Sequence, residues 1–401
     1  MHPKVQLKAL TGIRFFAALA VIAFHLYLAA PGAFPRYAAS LASYGFIGVS
    51  LFFVLSGFVL AYNYVGKPLD RQKFWVARFA RVYPAYLVAL VIGLLTYGEI
   101  ALGQTSAWTA TQLFTEGTLL HTWLPWTACG INCPGWSVAV EAFFYALFPF
   151  VAVAAVKVLG QLTPRKTIGA ILMLWALAMA SPTLSILLVK GFPAKGVYTL
   201  LFDALIYNPL LNVPQFLMGL CAGMLFVQKL AARKDVHAPL QSRSMVLASI
   251  AGLAGLAALL LMYPEVPIFT LLLRLGFFSP IFALVIYALA HGQGLIAKIL
   301  ALPPLIVLGE ASYGIYILET PLNRVLKALS EAGWFPRYGT FIYGIAFLLI
   351  LIATAIASLH FIETPARKYL TQAKKKKLPA LEISYTLPRP LTRTEHKEAQ
   401  N

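Results

Sequence analysis

Charge is what this sequence has least of. Only 11% of its 401 residues are charged and just 14 are acidic, where a soluble domain carries roughly a quarter charged residues. Too little polar surface remains to cover a water-soluble globule of this size. Cysteine is also sparse, and three residues cannot build a disulfide framework. Cys129 and Cys133 stand together in a predicted external loop, and an oxidising compartment would allow one local bridge there. The sequence leaves the bridged and free forms open. A zinc site needs more ligands than His121 supplies, so no metal is expected.

Apolar residues are abundant instead, at 60% of the chain, with a mean hydropathy of +0.77. They form long runs from Thr11 to the region of Ile362, each able to cross a bilayer as a helix. The expected fold is an all-α, polytopic membrane protein of about ten transmembrane helices, near 10–30, 44–64, 82–102, 136–158, 167–188, 209–229, 244–263, 271–291, 304–323 and 340–362. Arg14 and His25 interrupt the first run, and no small-residue cleavage site ends it. It is therefore read as the first span rather than a cleaved signal.

The net charge of +18 does not point to nucleic acid, because the basic residues gather in short clusters between apolar runs, as the positive-inside rule requires. Ten spans with the amino terminus inside leave only Arg36, Lys190, Lys195, Arg324, Lys327 and Arg337 outside, so both termini are expected to be cytoplasmic. Residues 1–370 read as one membrane domain. Residues 371–401 read as a disordered basic tail, whose run Lys374–Lys377 would anchor to anionic membrane lipid. No further catalytic domain is expected. The external loop 103–135 holds Trp108, Trp123 and Trp126 and reads equally as a lid or as an interfacial anchor.

Ionisable groups inside spans are costly and mark function by default. Arg14 and His25 are eleven residues apart, three turns plus roughly 20°, and so share one helix face about 16 Å apart. Ser137 and Glu141, at i and i+4, share a face of the fourth span. Counting from the opposite end puts Glu141 at the depth of His25. A carboxylate beside an imidazole fixes its tautomer, as a general base requires, so Glu141 is expected to orient His25. Arg78 and Arg81, at i and i+3, point together at the cytoplasmic end of the third span, level with Arg14. Guanidinium forks suit phosphate oxygens. Tyr313 and Glu319 lie in the ninth span, Glu319 at a depth similar to His25. Glu363, closing the tenth span, is expected to pair with a base or cap a helix end.

Together these residues resemble the acyltransferase 3 family of integral membrane acyltransferases, over about residues 7 to 370. Leu10-Thr11-Gly12-Ile13-Arg14 opens the family's arginine–ten residues–histidine pattern, completed by His25. Gly48 to Phe58 is similar to its second-helix signature, Arg78-Phe79-Ala80-Arg81 with Tyr83-Pro84 to its paired-arginine loop, and Ser137 to Glu141 to its serine–three residues–glutamate motif. Each motif alone is weak, but four in order are specific. The resemblance implies an acyl-CoA donor, usually acetyl-CoA, taken from the cytoplasm as a substrate rather than a resident cofactor. It implies a carbohydrate or lipid-linked sugar acceptor. By this analogy Arg14, Arg78 and Arg81 hold the donor, His25 is the base and Glu141 orients it, with Ser137, Tyr313 and Glu319 as acceptor or supporting residues. Members often carry histidine where this chain has Glu319.

The expected activity is thus acyl transfer to a hydroxyl at the inner or plasma membrane, directly in a ternary complex or through a covalent acyl group on Ser137 or His25. A proton-coupled transporter or flippase of a lipid-linked or sugar substrate is the alternative, because intramembrane His and Glu also build proton relays.

Overall fold

The computed structural model describes residues 7–97, 106–159, 163–188, 195–231, 267–334 and 340–373, together with 249, 252, 254–255 and 382–383. Helices dominate. The first is α1 (Lys8–Ala29), followed by the short α2 (Arg36–Ser43), α3 (Ile47–Tyr64) and α4 (Arg71–Thr96). Next come α5 (Ser106–Gly117), α6 (Gly135–Leu159), α7 (Pro164–Leu188), α8 (Lys195–Tyr207) and α9 (Pro209–Ala231). After them stand α10 (Pro267–Arg274), α11 (Ser279–Ala290), α12 (Leu295–Leu300) and the 29-residue α13 (Pro303–Glu331). α14 (Thr340–Ser358) passes through a π-helical turn, Leu359–Glu363, into α15 (Thr364–Ala373).

Among the described residues eight segments are long and apolar enough to cross a membrane, which makes the chain an all-α, multi-pass membrane protein. The long α13 is not among the eight, and the expected span 244–263 lies almost wholly outside the described residues. Lipid-facing stripes are plain on the outer helices. Leu87, Val91 and Leu95 of α4 are exposed at four-residue spacing, and Leu172, Met173 and Leu177 of α7 and Ile342, Ile345 and Leu349 of α14 are exposed along one side of their helices. Apolar rows turned outward are the inverse of a soluble helix and need hydrocarbon around them.

The centre is built from α1, α3, α9 and α13, with α9 packed along α3 and α1 along α13. Backbones approach closely because small residues sit at the crossings. A Cβ on Gly219 would lie 1.9 Å from the carbonyl oxygen of Val54, and one on Gly57 would lie 2.0 Å from that of Phe216. At the α1–α13 crossing a Cβ on Gly309 would lie 1.9 Å from the carbonyl oxygen of Thr11. That contact fixes the turn carrying Arg14 against α13.

Two boundaries differ from the sequence reading. α4 begins at Arg71, where Asp70 caps it by accepting from the Lys73 amide at 3.0 Å. Arg78 and Arg81 therefore ride on the helix itself. The eighth span is broken between α10 and α11 at Gly276, whose φ is +97°, a conformation that favours glycine. In the tail, Glu382–Ile383 (β2) pairs antiparallel with Leu69–Asp70 (β1), and its other residues beyond Ala373 lie outside the described set.

Candidate active site

Arg14, Arg78 and Arg81 converge on one cavity of about 470 Å³. α1 supplies Arg14 from the turn held by the Thr11–Gly309 contact. α4 supplies the other two, one turn apart. Among the described residues the only ion pairs are His25–Glu319 and Lys73–Asp70, so none of the three guanidinium groups has a carboxylate at ion-pair distance. Arg14 feels Arg81, Arg78, Glu141 and Tyr145 electrostatically without bonding to any of them. Arg78 lies over the rings of Tyr64, Tyr145 and Phe74 at 5.7, 5.8 and 5.9 Å, and its Nη2 donates to the Tyr64 hydroxyl at 3.3 Å. Its Nε is buried with no partner among the described residues. Three partly buried cations with unfilled hydrogen-bond capacity are costly unless an anion joins them.

α6 lines the same cavity with Ser137, Glu141 and Tyr145. Glu141 accepts a hydrogen bond from Ser56 of α3 at 3.1 Å and another from the Tyr145 hydroxyl. It does not meet His25, and the expected Glu141–His25 pair is corrected. Equal depth was the whole of that argument, and depth does not choose neighbours: α1 packs along α13 and α3, while α6 packs against α9, α4 and α3. His25 instead bonds Glu319 of α13, with Nδ1 to Oε2 at 2.9 Å. Thr320 Oγ1 donates to the same oxygen at 2.9 Å. Glu319 is buried while the His25 side chain is 28% exposed, so the imidazole is both oriented and approachable.

The cavity stops short of this pair. Along α13 it is lined by Gly309, Glu310, Ser312, Tyr313 and Tyr316, and Glu319 follows one turn later. At its inner end Ser137 Oγ donates to the Tyr316 hydroxyl at 2.8 Å. Tyr313 donates to the Val82 carbonyl at 2.8 Å, tying α13 to the arginine-bearing turn of α4. Glu363 also lines the cavity, accepting from Ser358 at 3.4 Å. Among the described residues it makes no ion pair, so of the two expected roles, pairing with a base or capping a helix end, the first is not found. Sequence reasoning passed over Ser56, Tyr145, Tyr316, Glu363 and Arg367 as lining residues. Tyr145 was within reach, one turn beyond Glu141 on the same face.

Past the other end of the His25–Glu319 pair, the loop between α5 and α6 folds onto α13. Cys129 and Cys133 are disulfide-bonded, which closes the question the sequence left open. Pro321 lacks the amide that would bond the Ile317 carbonyl within α13. Asn132 Nδ2 takes that carbonyl at 3.1 Å, and Arg324 Nη1 donates to the Ile131 carbonyl at 2.6 Å. Glu116 of α5 accepts from the amides of Ile131 and Asn132. Burial pushes its carboxyl up to about 7 against those two bonds. Burial likewise pushes His121 down to about 4.

A family model described as an acyltransferase domain matches residues 7–360, and the chain belongs to this acyltransferase 3 family. It is similar to O-acetyltransferase OatA of Staphylococcus aureus, at 27% identity across 92% of this chain and 58% of that protein. Peptidoglycan O-acetyltransferase OatA of Listeria monocytogenes is 26% identical across 92% of this chain and 57% of its own length. Acyltransferase MdmB of Streptomyces mycarofaciens is 39% identical over 37% of this chain and 40% of that protein. The chain thus spans between two fifths and three fifths of the curated relatives it matches. No solved structure matches the chain significantly.

Proposed function

We propose that the chain is a membrane O-acyltransferase that moves an acyl group, acetyl by preference, from acyl-CoA to a hydroxyl of an envelope saccharide. One observation carries this reading: three guanidinium groups with no carboxylate at ion-pair distance line a cavity whose lining on α13 ends at Tyr316, one helical turn before the glutamate that holds the His25 imidazole. Arginine forks suit the phosphates of CoA, and the basic-residue distribution puts their end of the protein in the cytoplasm, where acyl-CoA is made. The relatives named for O-acetylation, one of them for peptidoglycan, support a saccharide acceptor in or across the cell membrane.

In this reading Arg14, Arg78 and Arg81 hold the donor, and Glu141, itself held by Ser56 and Tyr145, faces the thioester arm. His25 is the general base. Donation of Nδ1–H to Glu319 leaves the lone pair on Nε2. Nε2 takes the acceptor hydroxyl proton, and the oxygen attacks the thioester carbonyl. The tetrahedral adduct expels CoA thiolate, which receives the proton back from the imidazolium. Glu319 stabilises the imidazolium between these steps, the role the sequence reading had given to Glu141. General-base help of this kind contributes about 10²–10⁴ in rate. No resident cofactor or metal enters the scheme.

Mass spectrometry of envelope glycans from cells with and without the chain tests the proposal. An acyl-sized mass difference that disappears with the His25→Ala variant is expected. Unchanged glycans, with a saccharide moved across the membrane and no CoA released, would assign the chain to transport instead.

A further inference from the structure

The cavity and the base do not communicate in this structure, and the two residues standing between them set a limit on the donor. Tyr316 and Ser137 are both buried, at 7% and 8% exposure, and both line the inner end of the cavity. The Tyr316 ring leans toward Phe52 at 6.3 Å, and its hydroxyl is held by Ser137, which is bonded in turn to the Pro134 carbonyl at 3.3 Å. Glu319, Tyr207 and Arg274, none of which lines the cavity, lie within electrostatic range of the hydroxyl. The guanidinium of Arg274 sits 4.3 Å from the buried Phe46 ring.

Resting on the donor reading above, we propose that the Tyr316–Ser137 pair is the end wall of the acyl site and restricts the donor to short acyl groups. A thioester arm entering past the arginines runs along α3, from Leu60 toward Val49, and meets the phenol ring end-on. An acetyl group fits against the ring. Each added methylene must displace the ring or bend back into the cavity, and a closed pocket discriminates by roughly tenfold or more per methylene. Tyr316 is also one turn from Glu319 on the same helix. Rotation of its ring away from this position would join the cavity to His25. The same side chain therefore measures the acyl group and admits it, acting as a positioning residue rather than a catalytic one.

The test is equilibrium binding of CoA, acetyl-CoA and hexanoyl-CoA to the purified full chain in detergent. The wild type is expected to bind acetyl-CoA at least about tenfold more tightly than hexanoyl-CoA. Tyr316→Ala should bring the two within about threefold, and Tyr316→Leu should do so in part. Tyr316→Phe, which keeps the ring and loses the hydroxyl, should retain the wild-type ratio. Equal binding of both thioesters by the wild type overturns the wall, as does an unchanged ratio in a Tyr316→Ala or Tyr316→Leu protein that still binds CoA. Failure of the wild type to bind any of the three overturns the donor reading and the wall with it.

Discussion

Glu141 and Glu319 stand on different helices and meet different partners. Each is placed by the helix beside it: Glu141 faces α3 and its own Tyr145, Glu319 faces α1 and His25. Their substitutions should therefore separate kinetically. Glu319→Gln keeps the shape but cannot stabilise an imidazolium, so kcat for acyl transfer should fall by about 10² or more, with the Michaelis constant for acyl-CoA little changed. Glu141→Gln should act mainly on that constant. A steady-state comparison of the two variants checks this, and a matching drop in kcat for both would contradict the division. At this scale the types of residue were legible: Arg14, Arg78, Arg81, Ser137, Glu141 and His25 announced themselves as polar groups inside apolar runs. Their partners were not, because depth along a helix is a one-dimensional quantity and pairing depends on which helices lie side by side. Tyr316 gave no signal at all, since a tyrosine in an apolar helix ordinarily reads as packing.

Helices meet here through backbone contact, and that makes the crossings sensitive. Gly219 presses on the Val54 carbonyl of α3. Gly219→Ala must push α9 off α3, and overpacking of this kind costs about 1–3 kcal/mol. A lowered thermal midpoint in detergent checks it. The loop between α5 and α6 makes a second test. His121 is buried and held neutral, its pKa pushed down to about 4, so below about 6.5 the unfolded chain takes up a proton that the folded loop refuses. The stability His121 contributes is complete above about 6.5 and is lost as the pH falls toward 4. Compared with His121→Gln, the wild type should therefore lose thermal stability between pH 7 and pH 5, and a pH-independent difference would contradict the assignment. Element boundaries were read well where apolar runs were long. They failed at α4, where polar residues continue the helix outward past the apolar stretch, and at Gly276, where a turn interrupts a run that stays apolar throughout.

For the whole molecule, the shortage of charge dictated a membrane protein, and the structure supplies outward apolar stripes to match. The unusual feature is the interior. Three guanidinium groups there have no carboxylate at ion-pair distance among the described residues, although Glu141, Glu310 and Glu363 line the same cavity, so they keep hydrogen-bond capacity for an anionic ligand. That asymmetry, cations at one end and an imidazole–glutamate couple toward the other, gives the protein a direction. Composition and motif order made the class legible. The geometry of the path from one end to the other required coordinates, because six helices, α1, α3, α4, α6, α13 and α15, and the π-helical turn before α15 contribute lining residues from distant parts of the sequence.

A path that begins as an acyl-CoA site and ends at His25 separates donor binding from turnover, and acetyl-CoA affinity and acceptor-dependent CoA release measured on the same purified protein read the two apart. Arg78→Gln with Arg81→Gln should weaken acetyl-CoA binding by about tenfold to a hundredfold, as expected for lost charged hydrogen bonds, while His25→Ala should bind normally and release no CoA above background. Binding that ignores the arginines, or full CoA release from His25→Ala, would contradict the account.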